Sequence, residues 1–265
     1  MFIFARLPIA KLKILMQLKY DFCQFFSIFD EAQINFSMSK CEQCIVRQFN
    51  SLKHLSKDDL VRMSNCKTSK IIKKGEPIFE EGDYLNGVYC IKDGVCKVSK
   101  MSENGKNQIV NLVKRGDLLG ERSLISEEVS NLNAIALEDM EVCFIPREEI
   151  IRDLEKNPAF TMDVLKNMAI NLKNSDNLVV DMAQKSVKQR LAETLMKLQT
   201  KFGVNDLGAI DLQLSREDIA NIIGTATESC IRLLSEFKKS KYIDFEGKSI
   251  IIVNKNELEK IANGF

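Results

Sequence analysis

The chain has 265 residues, 45% of them hydrophobic and 28% charged, and a formal net charge of +1. This composition excludes a disordered or fibrous chain, and the length favours two domains. No apolar run approaches the eighteen or so residues of a membrane span. The sequence has eight cysteines and no secretory signal, which suits a reducing compartment. We therefore expect a cytoplasmic protein with no membrane partner.

The first 38 residues differ in character from the rest of the chain. Residues 1–18 are apolar but are interrupted by Arg6 and Lys11, with Pro8 between them. The charge-first, apolar-second order of a signal peptide is missing, and an amphipathic anchor is the alternative. We expect residues 1–38 to be an extension outside the native protein, whose start would be Met38. Mass spectrometry of the native N-terminus would test this expectation.

A β-rich segment comes after a short helix that Ser56 and Asp59 should cap. Strands over 87–92, 95–101 and 108–113 are separated by Lys-Asp-Gly and Asn-Gly turns, which predict hairpins. Many short strands at even spacing are typical of a small barrel or jelly roll, which could hold one small ligand or only side chains. The first hairpin would make Cys90 and Cys96 cross-strand packing partners.

The period becomes helical from about residue 157 to residue 188. Apolar or small residues recur at alternating spacings of three and four, a heptad seam that favours pairing with a second copy of the chain. Packing on the barrel is the alternative. A further helix over 187–201 then leads to the C-terminal module. The predicted dimerisation residues are Leu165, Met168, Leu172, Ser175, Val179 and Met182.

Residues 214–242 predict two short helices joined by a tight turn. Ser215 with Asp218 forms a capping box for the first helix, Gly224 suits its left-handed stop, and Thr225 with Glu228 forms a second capping box. Such a pair is typical of a helix-turn-helix, whose second helix enters the DNA major groove.

The second helix of the pair has one apolar and one polar face. Glu228 and Arg232 lie side by side on the polar face, where Arg can bond guanine and Glu can accept from cytosine. In the alternative interpretation, Glu228 only caps its helix or forms a surface ion pair with Arg232. Two strands around Gly247 would form a wing with Lys248 at its tip, positioned for a phosphate.

Residues 74–83, 116–121 and 214–248 together resemble the Crp/Fnr family of bacterial transcription regulators. The resemblance implies an α+β fold: a cyclic-nucleotide-binding-like β jelly-roll barrel (39–155), a dimerisation helix (156–186) and a winged helix-turn-helix (187–265). It also implies a homodimer that reads a DNA palindrome with TGA-like half-sites and that contacts RNA polymerase. The residues expected at the DNA are Ser215, Arg216, Thr225, Thr227, Glu228, Ser229, Arg232 and Lys248.

The resemblance argues against cyclic AMP as the effector. Members that bind it hold its phosphate with an Arg-Ser pair about ten residues after a Gly-Glu pair. Gly120 and Glu121 are present, but the later positions are Ser130, Asn131 and Leu132. A cyclic phosphate would lack its bidentate partner, and Glu121 would be a barrel-lining or surface residue.

The oxygen-sensing branch of the family holds an iron–sulfur cluster on three arm cysteines and one barrel cysteine. Cys41, Cys44 and Cys143 match three of these positions, whereas the remaining arm position is Asn50. Four thiolates are usual, so Cys66 or a carboxylate would have to complete the set. A redox dithiol at Cys41 and Cys44, a zinc site and plain buried thiols stay open.

Two other classes of function compete with a DNA-binding regulator. One is a ligand-binding regulatory module that acts on a protein partner without contacting DNA. The other is an enzyme, for which the sequence offers one histidine, His54, and neither a nucleophile–base pairing nor a phosphate-cradling loop. We expect no catalytic residues.

Overall fold

The computed structural model describes residues 40–265, so the predictions for residues 1–38 lie outside the described residues. Three short 3-10 helices, Cys41–Gln43, Ile45–Phe49 and Ser51–His54, form an N-terminal arm. Helix α1 follows at Lys57–Cys66, with Ser56 accepting from the Asp59 amide as predicted.

Eight strands of the next segment form two antiparallel four-stranded sheets, ordered β1-β8-β3-β6 and β2-β7-β4-β5. Helix α2, Glu121–Ser126, lies between β6 and β7. The strands are β1 Thr68–Ile72, β2 Pro77–Phe79, β3 Gly87–Asp93, β4 Val95–Met101, β5 Asn107–Lys114, β6 Leu118–Leu119, β7 Asn133–Ala136 and β8 Met140–Pro146.

The predicted hairpin between β3 and β4 is wrong, because the two strands belong to different sheets. The chain turns a corner at Gly94, whose φ of +90° suits glycine. Cys90 therefore pairs with Cys143 on β8, and Cys96 pairs with Val113 and Ala136. The second predicted hairpin, β4–β5, is confirmed.

Successive side chains of β3 and β8 point to opposite faces of their sheet, and each face contributes to a different apolar core. Ile91 and Val142 point between the sheets, whereas Cys90 and Cys143 point to the opposite side of their sheet, into a core covered by the arm and by helices. These helices include α1, α3 (Arg147–Lys156) and the start of α4 (Pro158–Gln184). The long helix predicted over 157–188 is thus confirmed.

The C-terminal residues form helices, a small hairpin and a third core. The elements are α5 Val187–Phe202, α6 Arg216–Ile223, α7 Thr227–Lys239, β9 Ile243–Glu246, β10 Ser249–Ile252 and α8 Lys255–Ala262. Their core extends to Val95, Ile109 and Leu112 of the second sheet. Among residues 40–265, no helix combines the length and the apolar character that crossing a membrane requires.

Candidate nucleic-acid interface and thiol cluster

Helices α6 and α7 form the predicted helix-turn-helix. The Ser215 hydroxyl accepts from the Asp218 amide at 2.9 Å, and the Asp218 carboxylate accepts from the Ser215 amide, which completes the capping box. Gly224 ends α6 in the left-handed region at φ +64°. The second predicted capping box is wrong, because the Thr225 amide still donates to Ala220 at the end of α6. Helix α7 begins after Ala226, which has no capping side chain.

The outer face of α7 carries the two proposed base-reading residues. Glu228 and Arg232 are both exposed. Cys230, Leu234 and Phe237 are buried on the inner face. Glu228 makes no cap hydrogen bond, and it forms no ion pair with Arg232 within the described part of the chain. The two alternative roles of Glu228 are therefore not observed.

The other predicted DNA-contacting residues lie at the start of α6, at the start of α7 and at the turn between β9 and β10. Ser215 is exposed at the start of α6, and Lys248 is exposed at the hairpin turn. The Arg216 guanidinium lies over the Phe245 ring at 4.5 Å, so it joins α6 to the wing. One of its nitrogens, Nη1, is buried without a hydrogen-bond partner among the described residues. Half-buried positions at the start of α7 are Thr225, Thr227 and Ser229.

The heptad seam of α4 is largely uncovered within one chain. Leu165, Leu172 and Val179 are 53%, 65% and 69% exposed. Met168 contacts the core under the arm, and Met182 lies near Gly224 of the helix-turn-helix. Of the six seam residues, only Met168 therefore fits the barrel-packing alternative, whereas Met182 lies beside the helix-turn-helix. Ser175 is exposed, with its hydroxyl donating to the Asn171 carbonyl.

Two polar contacts tie the helix-turn-helix to the second sheet. Lys97 on β4 forms an ion pair with Asp218 at 2.6 Å, and Gln108 on β5 donates to the Ile222 carbonyl at 3.1 Å. Burial raises the pKa of Asp218, but the hydrogen bonds from Lys97 and Ser215 outweigh burial and lower its pKa overall. These contacts were not predicted, because they join residues far apart in sequence.

The positions discussed for a cyclic nucleotide carry other contacts. Ser130 is buried and donates to the Leu132 carbonyl at 2.8 Å, and Arg122 on α2 hydrogen-bonds the Asn131 side chain. Glu121 begins α2 and is half-buried; burial raises its pKa to about 7.

The predicted metal ligands lie in the core under the arm. Cys41 and Cys143 are buried there, and Cys44 packs against it. The same core contains Cys90, which sequence reasoning assigned to a different partner; only the pairing of β3 with β8 reveals it. We call Cys41, Cys44, Cys90 and Cys143 the thiol cluster.

The thiol cluster fits a thiophilic metal by its chemistry. It supplies four sulfurs in an apolar environment, with the buried Lys67 ammonium 3.9 Å from Cys143 Sγ. Thiolates are the usual ligands of iron–sulfur clusters and of structural zinc. Within residues 40–265, however, no three His, Cys, Asp or Glu side chains already stand in metal-ligand geometry. The four cysteines therefore share one core, but their sulfur atoms do not stand in the arrangement that a bound metal requires.

Comparison with known families and proteins agrees with this architecture. Residues 69–157 match the cyclic nucleotide-binding domain, and residues 189–261 match the Crp-like helix-turn-helix domain. The chain is 31% identical over 226 residues to the fumarate and nitrate reduction regulatory protein of Vibrio cholerae, covering 84% of this chain and 90% of that protein. An anaerobic regulatory protein of Haemophilus influenzae is 30% identical, with 84% and 87% covered.

Solved structures show the same fold. FixK2 from Bradyrhizobium japonicum aligns with a TM-score of 0.67 at 22% identity, covering 74% of this chain and 96% of that one. A putative regulator from Eubacterium rectale aligns with a TM-score of 0.65 at 19% identity, covering 80% and 97%.

A helix-turn-helix joined by a long helix to a cyclic-nucleotide-binding-type β domain defines a DNA-binding transcription regulator, not an enzyme. The chain belongs to the Crp/Fnr family of transcription regulators. The alternative of a regulatory module without a DNA role is thereby set aside.

Proposed function

We propose that the protein acts as a cytoplasmic homodimer that reads a DNA palindrome with TGA-like half-sites. The observation that carries the proposal is the exposed face of α7, on which Glu228 and Arg232 stand without pairing to each other. In the major groove, the Arg232 guanidinium would donate two hydrogen bonds to guanine O6 and N7. The Glu228 carboxylate would accept from cytosine N4.

Contacts to the phosphates would set the register of α7 in the groove. Ser215 lies at the start of α6 and Lys248 at the turn of the β9–β10 hairpin, and both are exposed. Arg216, Thr225, Thr227 and Ser229 lie nearer the helix starts, where backbone amides also favour phosphate. Such contacts add affinity without reading sequence.

Dimerisation would use the exposed seam of α4. A two-fold axis along this helix would place two copies of α7 one helical turn apart on DNA, as a palindrome requires. The seam residues that a second copy would cover are Leu165, Met168, Leu172, Ser175, Val179 and Met182. RNA polymerase is the further partner that membership of the family leads us to expect.

The signal would be oxygen or redox state, received at the thiol cluster. Two sequence relatives are named for fumarate and nitrate reduction and for anaerobic regulation, which supports this assignment. Cys41, Cys44 and Cys143 would hold an iron–sulfur cluster, which supplies an oxidisable centre when bound. Asn131 and Leu132 stand where an Arg-Ser pair would hold a cyclic phosphate, so cyclic AMP is not proposed.

Replacing Arg232 tests the reading of bases. Arg232→Ala should lose about 1–3 kcal/mol of binding free energy to a TGA-containing palindrome and should relax preference at one base pair per half-site. Binding would be measured by fluorescence anisotropy with a set of single-base operator variants at fixed salt.

The matched control is Arg115→Ala, which removes the same charge from an exposed turn of the β domain. This control should leave both affinity and base preference unchanged. An Arg232→Ala protein with the wild-type preference at every base pair would show that α7 does not read the groove through this side chain.

A further inference from the structure

The thiol cluster unites four cysteines from three separate segments of the chain. Cys41 and Cys44 belong to the arm, Cys90 to β3 and Cys143 to β8. Cys90 and Cys143 are direct cross-strand partners, and both face the core under the arm. Directly opposed side chains in an antiparallel pair have Cβ atoms about 4.5–5.5 Å apart. The two strand thiols are thus held together by the sheet itself.

The arm reaches this strand pair through a polar contact. Asn50 is buried at the end of the second 3-10 helix, and its Nδ2 donates to Cys90 Sγ at 3.5 Å. The same asparagine accepts from the Leu52 amide, which fixes its side chain. Cys90 is therefore within contact of the segment that carries Cys41 and Cys44.

Charge at the edge of the cluster favours bound thiolates. Lys67 is only 5% exposed, and its ammonium lies near Cys143 and hydrogen-bonds Cys41. Four thiolates around a metal centre carry surplus negative charge, and a buried cation beside them offsets part of it.

Two of the remaining described cysteines lie in other cores. Cys96 is buried in the core between the sheets, and Cys230 belongs to the C-terminal core. Cys66, the fourth ligand considered from sequence, ends α1 and is only partly buried.

We propose that Cys90 is the fourth thiolate ligand, with Cys41, Cys44 and Cys143, of an iron–sulfur centre. This inference rests on the proposed redox function and completes it, because three thiolates fall one short of the usual set. The site would take two ligands from the arm and two from neighbouring strands.

Anaerobic reconstitution of the full chain with ferrous iron and sulfide tests the assignment. Iron and acid-labile sulfide per chain would be measured after gel filtration, together with visible charge-transfer absorption. We expect Cys90→Ser to lose bound iron as completely as Cys143→Ser. The matched control Cys96→Ser should keep the wild-type content, because it removes a buried thiol of the same domain outside the cluster. Circular dichroism of each metal-free variant would verify folding.

The outcomes separate the two proposals. Wild-type iron content in Cys90→Ser, with loss in Cys143→Ser, would overturn the role of Cys90. Loss of bound iron in Cys66→Ser, with wild-type iron in Cys90→Ser, would make Cys66 the fourth thiolate ligand. No iron in any sample, wild type included, would refute the redox centre of the proposed function and Cys90 with it. Adding Asn50→Cys to Cys90→Ser should restore bound iron. Position 50 contacts residue 90, so the new thiol would replace the lost one, and this recovery would support the assignment.

Discussion

At the scale of single residues, burial changes chemistry that sequence cannot reveal. From sequence, Glu121 could be a barrel-lining or a surface carboxylate; the structure half-buries it at the start of α2. Burial, helped by the charge of Asp117, raises its pKa to about 7 from an ordinary value of 4.5, against the lowering effect of a backbone hydrogen bond. The folded protein therefore disfavours the ionised form of this residue.

This shift predicts how stability depends on pH. A carboxyl with a raised folded pKa binds more protons in the folded state, so stability falls as pH rises from about 4.5 through about 7. Glu121→Gln should remove this fall and make the protein roughly 1–3 kcal/mol more stable than wild type at about pH 8. Urea unfolding at about pH 5 and pH 8 measures the difference.

The exposed Glu128→Gln is the matched control for this experiment, since Glu128 lies just after the same helix. Glu128→Gln should leave the pH dependence of the free energy of unfolding as it is in the wild type. A Glu121→Gln protein that loses stability with rising pH as steeply as wild type would assign the slope to other groups.

At the scale of elements, local signals predicted most helix ends correctly. The capping boxes and glycine stops act within one turn, so Ser215 and Gly224 mark α6 in the sequence itself. The error at Thr225 also has a local cause. Its amide completes α6, which delays the start of α7 to Thr227. A capping motif cannot show which of two adjacent helices uses the residue.

The glycine at the end of α6 has a packing role besides its conformation. A Cβ on Gly224 would come within 2.9 Å of Met182 Sδ and 3.2 Å of Gln108 Oε1. Gly247 has a similar φ of +59° with open space around it. Both Gly→Ala variants should lose about 1–2 kcal/mol to left-handed strain. Gly224→Ala should lose up to about 1 kcal/mol more, because it displaces the Gln108 hydrogen bond to Ile222.

Thermal and urea unfolding of the two alanine variants would separate strain from packing. Gly247→Ala is the reference for strain alone. Equal losses in the two variants would mean that Met182 and Gln108 move aside without cost, and that the contact between α6 and β5 contributes little to stability.

At the scale of the whole molecule, the uncovered seam of α4 predicts the oligomeric state. Leu172→Glu combined with Val179→Glu should raise the dimer dissociation constant by at least about 100-fold. Each carboxylate replaces an apolar contact worth roughly 1.5–3 kcal/mol when buried. Light scattering with size-exclusion chromatography measures the assembly, and operator affinity should fall with it.

Lys173→Glu controls for added negative charge, because it changes an exposed residue of the same helix outside the seam. This variant should remain dimeric. A wild-type protein that is monomeric at operator-binding concentrations would contradict the proposed two-fold reading of DNA.

The sequence by itself determined the local elements of this protein and their order: the caps of α1 and α6, the heptads of α4 and the hairpin of the wing. Each depends on neighbours within a few residues, so its physics is present in the linear chain. Only the tertiary structure decided that β3 pairs with β8 and not with β4. Because β3 crosses to the sheet that holds β8, Cys90 meets Cys143 instead of Cys96, and the arm places Cys41 and Cys44 beside them.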